Sequence, residues 1–375
     1  MTQETTNADG AFEAPETIQR MLLTTWALLY SLTPEQRHQC EFPLDDPGRV
    51  DWDFIPKPDR QGVPLSQLDS HQRTLVHSLL AAGLSTQGYS QALQIMSMEN
   101  MLREIEQPVF GVAAGDIRSS DGYFLSFYGR PGFEDTWGWR FLGHHLSLSY
   151  TIVEQRYLTA TPCNMGAQPA SAGLLRPLAP EEDEGFALLN SLNATQRDST
   201  IIHTVAPADY ATRQVPRIGR VEYPDSVDLG IPWYRITEED REALKFVKDE
   251  PKGICGTDLS SAQGDSLLEL VGTYLYRAPA ELAAKQIARV EREGLANLYF
   301  CWAGETEPGK PHYYRIQGSH ILIEFDNAID SGNHAHSIWR DYRNDLGHDL
   351  LADHYERERL TGHHLTTRLR SSVPD

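Results

Sequence analysis

Hydrophobic positions recur along the chain with two periods that alternate in blocks. A repeat of three to four residues is typical of an amphipathic helix, and strict alternation is typical of a strand. The first helical stretch should break near Gly83 or Gly88, because glycine destabilises a helix interior. The predicted elements are helices at 66–106, 180–204, 237–294 and from about Asp345, with β-rich blocks at 109–161 and 297–341.

Five segments share a helix-start motif, in which a Ser, Thr, Asp or Asn is followed three residues later by Gln or Asp. This spacing is typical of N-caps and capping boxes, so it predicts where helices begin and carries no functional information. The segments are LTPEQR (32–37), LDSHQR (68–73), LNATQR (192–197), ITEEDR (236–241) and LSSAQG (259–264).

The two β-rich blocks resemble each other. YFLSFYG (123–129) aligns with LYFCWAG (298–304), and WRFLGHHLSLSYT (139–151) aligns without a gap with YRIQGSHILIEFD (314–326). The pattern predicts an internal duplication, with chance similarity of two amphipathic hairpins as the alternative. The expected fold is α+β, with two internally duplicated helix-plus-antiparallel-β halves packed into one compact unit.

The predicted organisation has two halves and three irregular segments. The Pro- and Gly-rich stretch between the halves predicts a link, and the polar ends of the chain predict disorder. The boundaries are a disordered N-terminus at 1–14, a first half at 15–206, a link at 207–235, a second half at 236–358 and a flexible tail at 359–375.

The charge, the cysteine content and the apolar runs of the chain limit the kinds of molecule that it is expected to bind. A net charge of −20 and a pI near 5.1 disfavour nucleic acid, because such a surface repels phosphate. Four scattered cysteines indicate a reduced compartment. The apolar run MLLTTWALLYSL (21–32) is too short to span a bilayer and predicts a core helix. We therefore expect a cytoplasmic protein that acts on a small molecule, with no membrane or nucleic-acid partner.

The segment SGNHAHSIWRDY (331–342) contains an H-x-H motif, which on a strand places both imidazoles on one face. His334 and His336 could therefore clasp one metal ion. Strand alternation in the aligned blocks puts His145 and Glu324 on equivalent polar sides and His144 on the apolar side. We expect His145 (or His144) as third ligand and Glu324 or Asp326 as the carboxylate. A nitrogen and oxygen set of this kind suits Zn, Fe, Mn or Cu. Metal-free functional histidines and structural histidines stay open as alternatives.

Arginines and aromatic residues supply further candidates. Arg140 and Arg315 align in the two blocks, and Arg340 follows the H-x-H motif, so one of them could hold an anionic substrate. The alternative is that each pairs with a nearby acid such as Asp341 or Glu324. The remaining candidates for a substrate pocket are His312, Tyr313 and Trp139.

Several strings along the chain resemble a known family, catalogued as domain of unknown function 3500, over about residues 30–357. The resemblance is carried by GYSQALQIMSMENMLREIE (88–106), WGWRFLGHHLSLSYTIV (137–153), GLLRPLAPEED (173–183), WAGETEPGKPHYYRIQG (302–318) and LIEFDNAIDSGNHAHSIWRDY (322–342). It implies no reaction. The family pattern coincides with His144, His145, His312, Glu324, Asp326, His334, His336, Arg340 and Asp341, but not with His320.

The leading hypothesis is a metal-dependent enzyme acting on a small anionic or carbonyl-bearing molecule, with hydrolysis slightly favoured. Metal-bound water would be the nucleophile, and Glu324 would be fourth ligand or general base. Arg340, Asp341 and His312 are the other expected catalytic residues. One alternative is an oxidase or oxygenase that uses Fe, Cu or Mn at the same site. Another is a metal-free protein that binds an anionic ligand. Motifs for nucleotide binding and for serine hydrolysis are absent from the sequence.

Overall fold

The structure is a computed structural model that describes residues 12–111, 117–224 and 236–361. Within these ranges helices and strands form an α+β fold. The helices are α1 (Pro15–Ser31), α2 (Pro34–Cys40), α3 (Ser70–Gly83), α4 (Thr86–Phe110), α5 (Ala179–Ser191), α6 (Ala194–Thr200), α7 (Glu238–Leu244), α8 (Ser261–Leu275), α9 (Ala280–Glu293) and α10 (His348–Thr361). The strands are β1 (Phe12–Glu13), β2 (Glu41–Phe42), β3 (Val63–Pro64), β4 (Phe124–Tyr128), β5 (Trp137–Gly143), β6 (Leu146–Val153), β7 (Tyr157–Thr159), β8 (Cys163–Ala167), β9 (Ile201–His203), β10 (Val221–Glu222), β11 (Phe246–Val247), β12 (Ile254–Cys255), β13 (Tyr299–Gly304), β14 (His312–Gln317), β15 (Ile321–Ile329) and β16 (His334–Asp341).

Local sequence explains where the helices begin. All five helix-start motifs form capping boxes, in which the cap side chain and the third helical residue satisfy each other's backbone N–H groups. The predicted break in the first helical stretch falls between α3 and α4, where Ser85 caps the new helix by accepting the N–H of Gly88 at 3.0 Å.

The predicted chain ends need correction where the structure describes them. Residues 12–13 are not disordered, because β1 pairs with β7, and Ala14 is fully buried. Helix α10 continues to Thr361, so the predicted tail begins as helix. The rest of both ends, 1–11 and 362–375, lies outside the described residues, as does 225–235 of the predicted link.

One large mixed sheet organises the molecule. Its main path runs β12-β13-β14-β15-β16-β8-β6-β5-β4-β2, so the strands of the two halves meet where β16 pairs with β8. That pairing is antiparallel and sets Ala335 opposite Ala167 and Trp339 opposite Cys163. The H-x-H motif at the start of β16 is therefore close to the first half of the chain.

Two local arrangements occur twice among the described residues. Arg140 of β5 pairs with Ser126 and Ser149, and the aligned Arg315 of β14 pairs with Cys301 and Glu324. A reciprocal pair of glutamine side chains also occurs twice, once between α2 and α3 and once between α6 and α8. The two pairs are Gln36 with Gln72 and Gln196 with Gln263.

Both faces of the sheet are buried. The helix face packs apolar side chains such as Leu148, Ile323 and Trp339 under the helices. The opposite face lies beneath two irregular stretches, 46–54 and 206–218, which we call the covering segments. Trp52 and Phe54 of one segment and Tyr210 of the other pack together there. Polar side chains on this outer face are consequently shielded from water.

No helix in the described ranges combines the length and apolar character that a membrane crossing requires.

Candidate metal centre

Three imidazoles converge where the two halves meet. His334 and His336 lie on one face of β16, as the H-x-H spacing predicts. His145 belongs to the first half and reaches them across β8, because Gly166 pairs with His336 and donates its N–H to the His145 carbonyl at 2.7 Å. We call His145, His334 and His336 the histidine cluster.

His145 joins the cluster for a different reason from the one predicted. It lies in the two-residue turn between Gly143 and Leu146, outside any strand, so strand alternation does not set its direction. Its backbone has a φ of 63°, in the left-handed region that non-glycine residues rarely adopt. Its N–H donates to the carbonyl of Phe54 at 2.9 Å, which ties the turn to a covering segment.

The ring nitrogens are within the range that one cation needs. One ligating atom from each residue lies within 4.8 Å of the others. The Nε2 atoms of His145 and His334 are 2.8 Å apart, so one of these nitrogens donates a hydrogen bond to the other. Two nitrogens bound tetrahedrally to one metal ion lie about 3.4 Å apart, given bonds of about 2.1 Å. The rings of His145 and His334 would therefore need to separate by well under 1 Å for both nitrogens to bind one ion.

Gly166 leaves room for this packing. A Cβ atom built on it would lie 3.0 Å from Cδ2 of His145 and 3.1 Å from Cδ2 of His336. Both ring edges therefore rest against the bare backbone of β8.

Carboxylates lie behind two of the rings. Nδ1 of His336 faces Asp326 Oδ1 at 3.1 Å, and Nδ1 of His334 faces Asp330 Oδ2 at 3.5 Å. An outer carboxylate that accepts from one ring nitrogen fixes the tautomer and aims the other nitrogen at a metal. Asp326 is placed for this role, and Asp330 is too distant for a strong hydrogen bond.

Burial keeps the imidazoles neutral. Burial is the main cause that lowers the pKa of His334 to about 4, with His336 acting in the same direction and Asp330 opposing it. Burial, followed by the neighbouring imidazoles, lowers the pKa of His145 to well below its usual value. Burial also lowers the pKa of His336, partly opposed by Asp209. Neutral rings carry the free lone pairs that metal binding requires.

His144, the alternative to His145, belongs to an adjoining group. Its Nδ1 lies 2.6 Å from Oε1 of Glu99 on α4, and its ring centroid is 3.7 Å from that of His145. Arg118 also approaches the ring, at 3.0 Å from Nδ1. The residue was predicted to face an apolar environment, but its neighbours are polar. Glu99, His144 and His145 form a second set that could hold a cation.

A third set comprises Asp209, Asp326 and His336. Burial raises the pKa of Asp209 to about 7 and the pKa of Asp326 to well above its usual value. Sequence reasoning missed Asp209 and Glu99, because nothing in the irregular link or in α4 indicates which strand residues they will meet.

Glu324 lies outside the cluster, contrary to its predicted role as fourth ligand. It pairs with Ile338, whereas Asp326 pairs with His336. Its carboxylate accepts from the backbone N–H groups of Ala211 at 2.8 Å and Thr212 at 3.3 Å. The hydroxyls of Thr212 and Tyr313 also donate to it. These donors saturate the carboxylate, so Glu324 anchors a covering segment to the sheet.

The three candidate arginines also donate hydrogen bonds to backbone carbonyls. Arg140 donates to the carbonyls of Gly48 and Asp51, and Arg315 reaches the carbonyl of Leu244 at 3.4 Å. All three side chains are buried, at 3 % exposure or less.

Arg340 binds Asp345 at 2.7 Å and the carbonyl of Val215 at 2.6 Å. The structure thus places none of the three arginines in the histidine cluster. Within the described ranges, the alternative of pairing with a nearby acid holds for Arg340 alone, and its partner is Asp345. The hydrogen bonds of the other two arginines go to backbone carbonyls and, for Arg315, also to the Tyr313 hydroxyl.

The remaining predicted residues are dispersed. Trp139 stacks on Tyr150 in the helix-face core, at a centroid distance of 4.1 Å. His312 is on that face too, stacked on Trp302 at 5.3 Å. Asp341 accepts from Arg289 at 3.1 Å on the same side of the sheet.

A surface cavity of about 780 Å³ lies apart from the cluster. Its described lining includes His38, Arg60, Gln61, Asp121 and Phe124, and none of the predicted site residues. Cavity volume therefore does not identify the histidine cluster as the site. The metal-binding capacity of its imidazoles does.

Comparison with known proteins identifies a family. No curated protein and no solved structure matches the chain. The family model described as "Protein of unknown function (DUF3500)" matches residues 14–348. Because this match covers most of the chain, the protein belongs to the DUF3500 family.

Proposed function

We propose that this protein is a metal-dependent enzyme whose cation is held by His145, His334 and His336. The observation that carries the proposal is the convergence of three imidazoles from the two halves of the chain, two of them buried and that of His334 partly exposed. Three neutral nitrogen ligands that leave a position open are typical of catalytic rather than structural metal sites. Zn, Fe, Mn and Cu all accept such a set.

The surrounding residues have distinct roles in this proposal. Asp326 accepts from Nδ1 of His336 and so orients the opposite nitrogen. Gly166 gives the rings of His145 and His336 their clearance. A cation bound there would lower the pKa of a water ligand and polarise a substrate oxygen.

Substrate would approach beside His334. Its side chain is 14 % exposed, whereas His145 and His336 are almost completely buried. With the arginines engaged elsewhere, the metal itself would recognise the oxygen of a small anionic or carbonyl-bearing molecule. We propose hydrolysis as the reaction, because it needs only a redox-inert ion and bound water.

Oxidation at Fe, Cu or Mn is the second candidate. The aromatic wall of the site favours it, since the ring of Phe54 lies 4.9 Å and that of Tyr210 6.0 Å from the ring of His336. Such a wall would limit the access of water to a reactive intermediate.

A reconstitution experiment separates the candidates. Metal-free protein would be loaded with Zn, Mn, Fe or Cu and assayed on ester, phosphoester and 2-hydroxy acid panels, with oxygen consumption recorded in parallel. Hydrolysis that Zn restores without oxygen supports the proposal, and turnover only with a redox metal and oxygen supports the second candidate. If no metal binds, the cluster instead belongs to a metal-free protein for anionic ligands.

We further infer that an internal duplication produced two copies of one unit, with α6 of the predicted first half belonging to the second copy, and placed the site where the copies meet. The recurring glutamine pairs and strand registers support this. Cytoplasmic location remains a prediction from the sequence.

A further inference from the structure

The buried carboxylate of Asp326 has one described hydrogen-bond partner. The residue is fully buried on the outer face of β15, and its oxygens meet a single described donor, Nδ1 of His336, at 3.1 and 3.3 Å. Transfer of an ionised carboxylate out of water is costly unless hydrogen bonds or a cation replace the lost hydration. Glu324, on the same face, receives four donors from its surroundings.

A second carboxylate faces the same place from a covering segment. Asp209 offers an oxygen that lies, with ligating atoms of Asp326 and His336, within a group 4.8 Å across. Its own contacts are modest, with the N–H of Tyr210 at 2.7 Å and the Gln214 amide at 3.4 Å. Asp209 is partly exposed, whereas Asp326 and His336 are buried.

The distances suit a cation as well as a proton. Two ligands bonded at about 2.1 Å and separated by 90–110° lie about 3.0–3.4 Å apart. The separations of 3.1 and 3.3 Å between His336 Nδ1 and the Asp326 oxygens fall in this range. A divalent ion would therefore bind off the N–H···O line, after the Nδ1 proton has left and the ring of His336 has turned, with the nitrogen and the carboxylate oxygens at about their present separations.

We propose that Asp209, Asp326 and His336 hold a second divalent cation beside the histidine cluster. This inference rests on the proposed function, because His336 would be shared between the two ions. Its Nε2 would bind the first ion and its Nδ1 the second, and the displaced Nδ1 proton would pass to solvent. Two carboxylates and one imidazole nitrogen suit Mn, Zn or Fe(II). The two ions would lie on opposite sides of the His336 ring, farther apart than the roughly 3.5–4 Å of centres that clamp one substrate between two ions. The second ion would therefore act through His336 on the ion of the histidine cluster.

Manganese titration of the full chain tests this inference. Metal-free wild type is expected to bind two Mn²⁺ per chain, and Asp209→Asn is expected to bind one. The matched control is Glu324→Gln, an isosteric change in a buried carboxylate on the same strand face. The folded fraction of this variant should still bind two Mn²⁺ ions per chain. Circular dichroism would verify the fold of each variant.

The outcomes are distinguishable. One ion per chain in both wild type and Asp209→Asn would overturn the second site and leave the first. No ion in wild type would overturn both proposals. If Asp209→Asn does not fold, electron paramagnetic resonance of the wild-type protein tests the second site instead. Fully loaded protein should give a spectrum broadened by coupled Mn²⁺ ions, and a six-line spectrum of isolated ions would contradict the proposal.

Discussion

Two buried polar regions share the outer face of the sheet, and they differ in how their hydrogen-bonding groups are matched. Around Glu324, one carboxylate meets donors from Ala211, Thr212 and Tyr313, and it ties a covering segment to β15. In the histidine cluster the rings meet mainly one another, with His145 and His334 only 2.8 Å apart at Nε2.

Burial is nearly equal in the two regions, so it does not separate structural from functional side chains. Glu324 and Asp326 are both fully buried, and His145 is 2 % exposed. The match between hydrogen-bond donors and acceptors does distinguish structural from functional side chains. A saturated carboxylate contributes to stability, whereas neutral imidazoles grouped around a small space retain lone pairs for a ligand. Substitutions in the two regions should therefore have opposite consequences.

The largest expected effect is on stability, at Glu324. Glu324→Ala would leave two backbone N–H groups and the Tyr313 hydroxyl without an acceptor. We expect the free energy of unfolding to fall by about 3–5 kcal/mol, because each buried unsatisfied group costs about 1–3 kcal/mol. Urea unfolding of the metal-free protein would measure this loss of stability. Asp183→Ala, at a side chain that is 59 % exposed, should stay within about 0.5 kcal/mol of wild type. A similarly small loss in Glu324→Ala would contradict the anchoring role.

Loss of an imidazole from the histidine cluster should reduce metal affinity strongly and stability only slightly. We expect His334→Ala to weaken metal affinity by roughly 100-fold or more, since even outer partners of metal ligands are worth about 10–100-fold. The stability of the metal-free protein should fall by only about 1 kcal/mol, because the His334 side chain makes one hydrogen bond there, to His145, and its contact with Asp330 is long. Calorimetric titration and urea unfolding measure the two quantities.

His320→Ala is the matched control for His334→Ala. This histidine aligns with His145 in the second half, but its Nδ1 is paired with Glu293 at 2.7 Å. The metal affinity of His320→Ala should equal that of wild type, and a loss comparable to that of His334→Ala would argue against a specific site.

A smaller effect is expected at Gly166. The methyl group of Gly166→Ala would press on the rings of His145 and His336, which must shift by a few tenths of an ångström. We expect metal affinity to fall about tenfold, because ligand geometry must hold within about 0.5 Å. Gly272→Ala in α8, where the added Cβ meets only Tyr276, is the control. Unchanged affinity in Gly166→Ala would mean that the ion lies elsewhere.

The smallest effect should follow from Asp330→Asn. The carboxylate is 46 % exposed and 3.5 Å from Nδ1 of His334, so solvent screens the interaction. We expect metal affinity to fall by less than about tenfold in the same titration. A loss as large as that of His334→Ala would show that Asp330 is itself a ligand.

The sequence predicted the fold class, most element positions and the pairing of the H-x-H face with the first half. Local periodicity and capping carry that information, so α3, α4 and both β blocks lie near their expected places. The site was only partly predictable. Strand alternation places Glu324 and Asp326 on one face, but only the register with β16, a tertiary property, sets Asp326 beside His336.

His145 illustrates a second limit. It was selected by strand alternation, yet it lies in a turn and reaches the cluster through a left-handed backbone conformation. Asp209 could not be found at all, because an irregular segment carries no periodicity that would indicate which face it covers. Residues contributed by turns and links therefore require the three-dimensional structure.

Elemental analysis of protein purified without chelators tests the central claim most directly. Wild type should contain at least one equivalent of Zn, Fe, Mn or Cu per chain, and both His334→Ala and His336→Ala should lose the ion of the histidine cluster while remaining folded. Metal-free wild type that shows no thermal shift with any of these ions would contradict the claim.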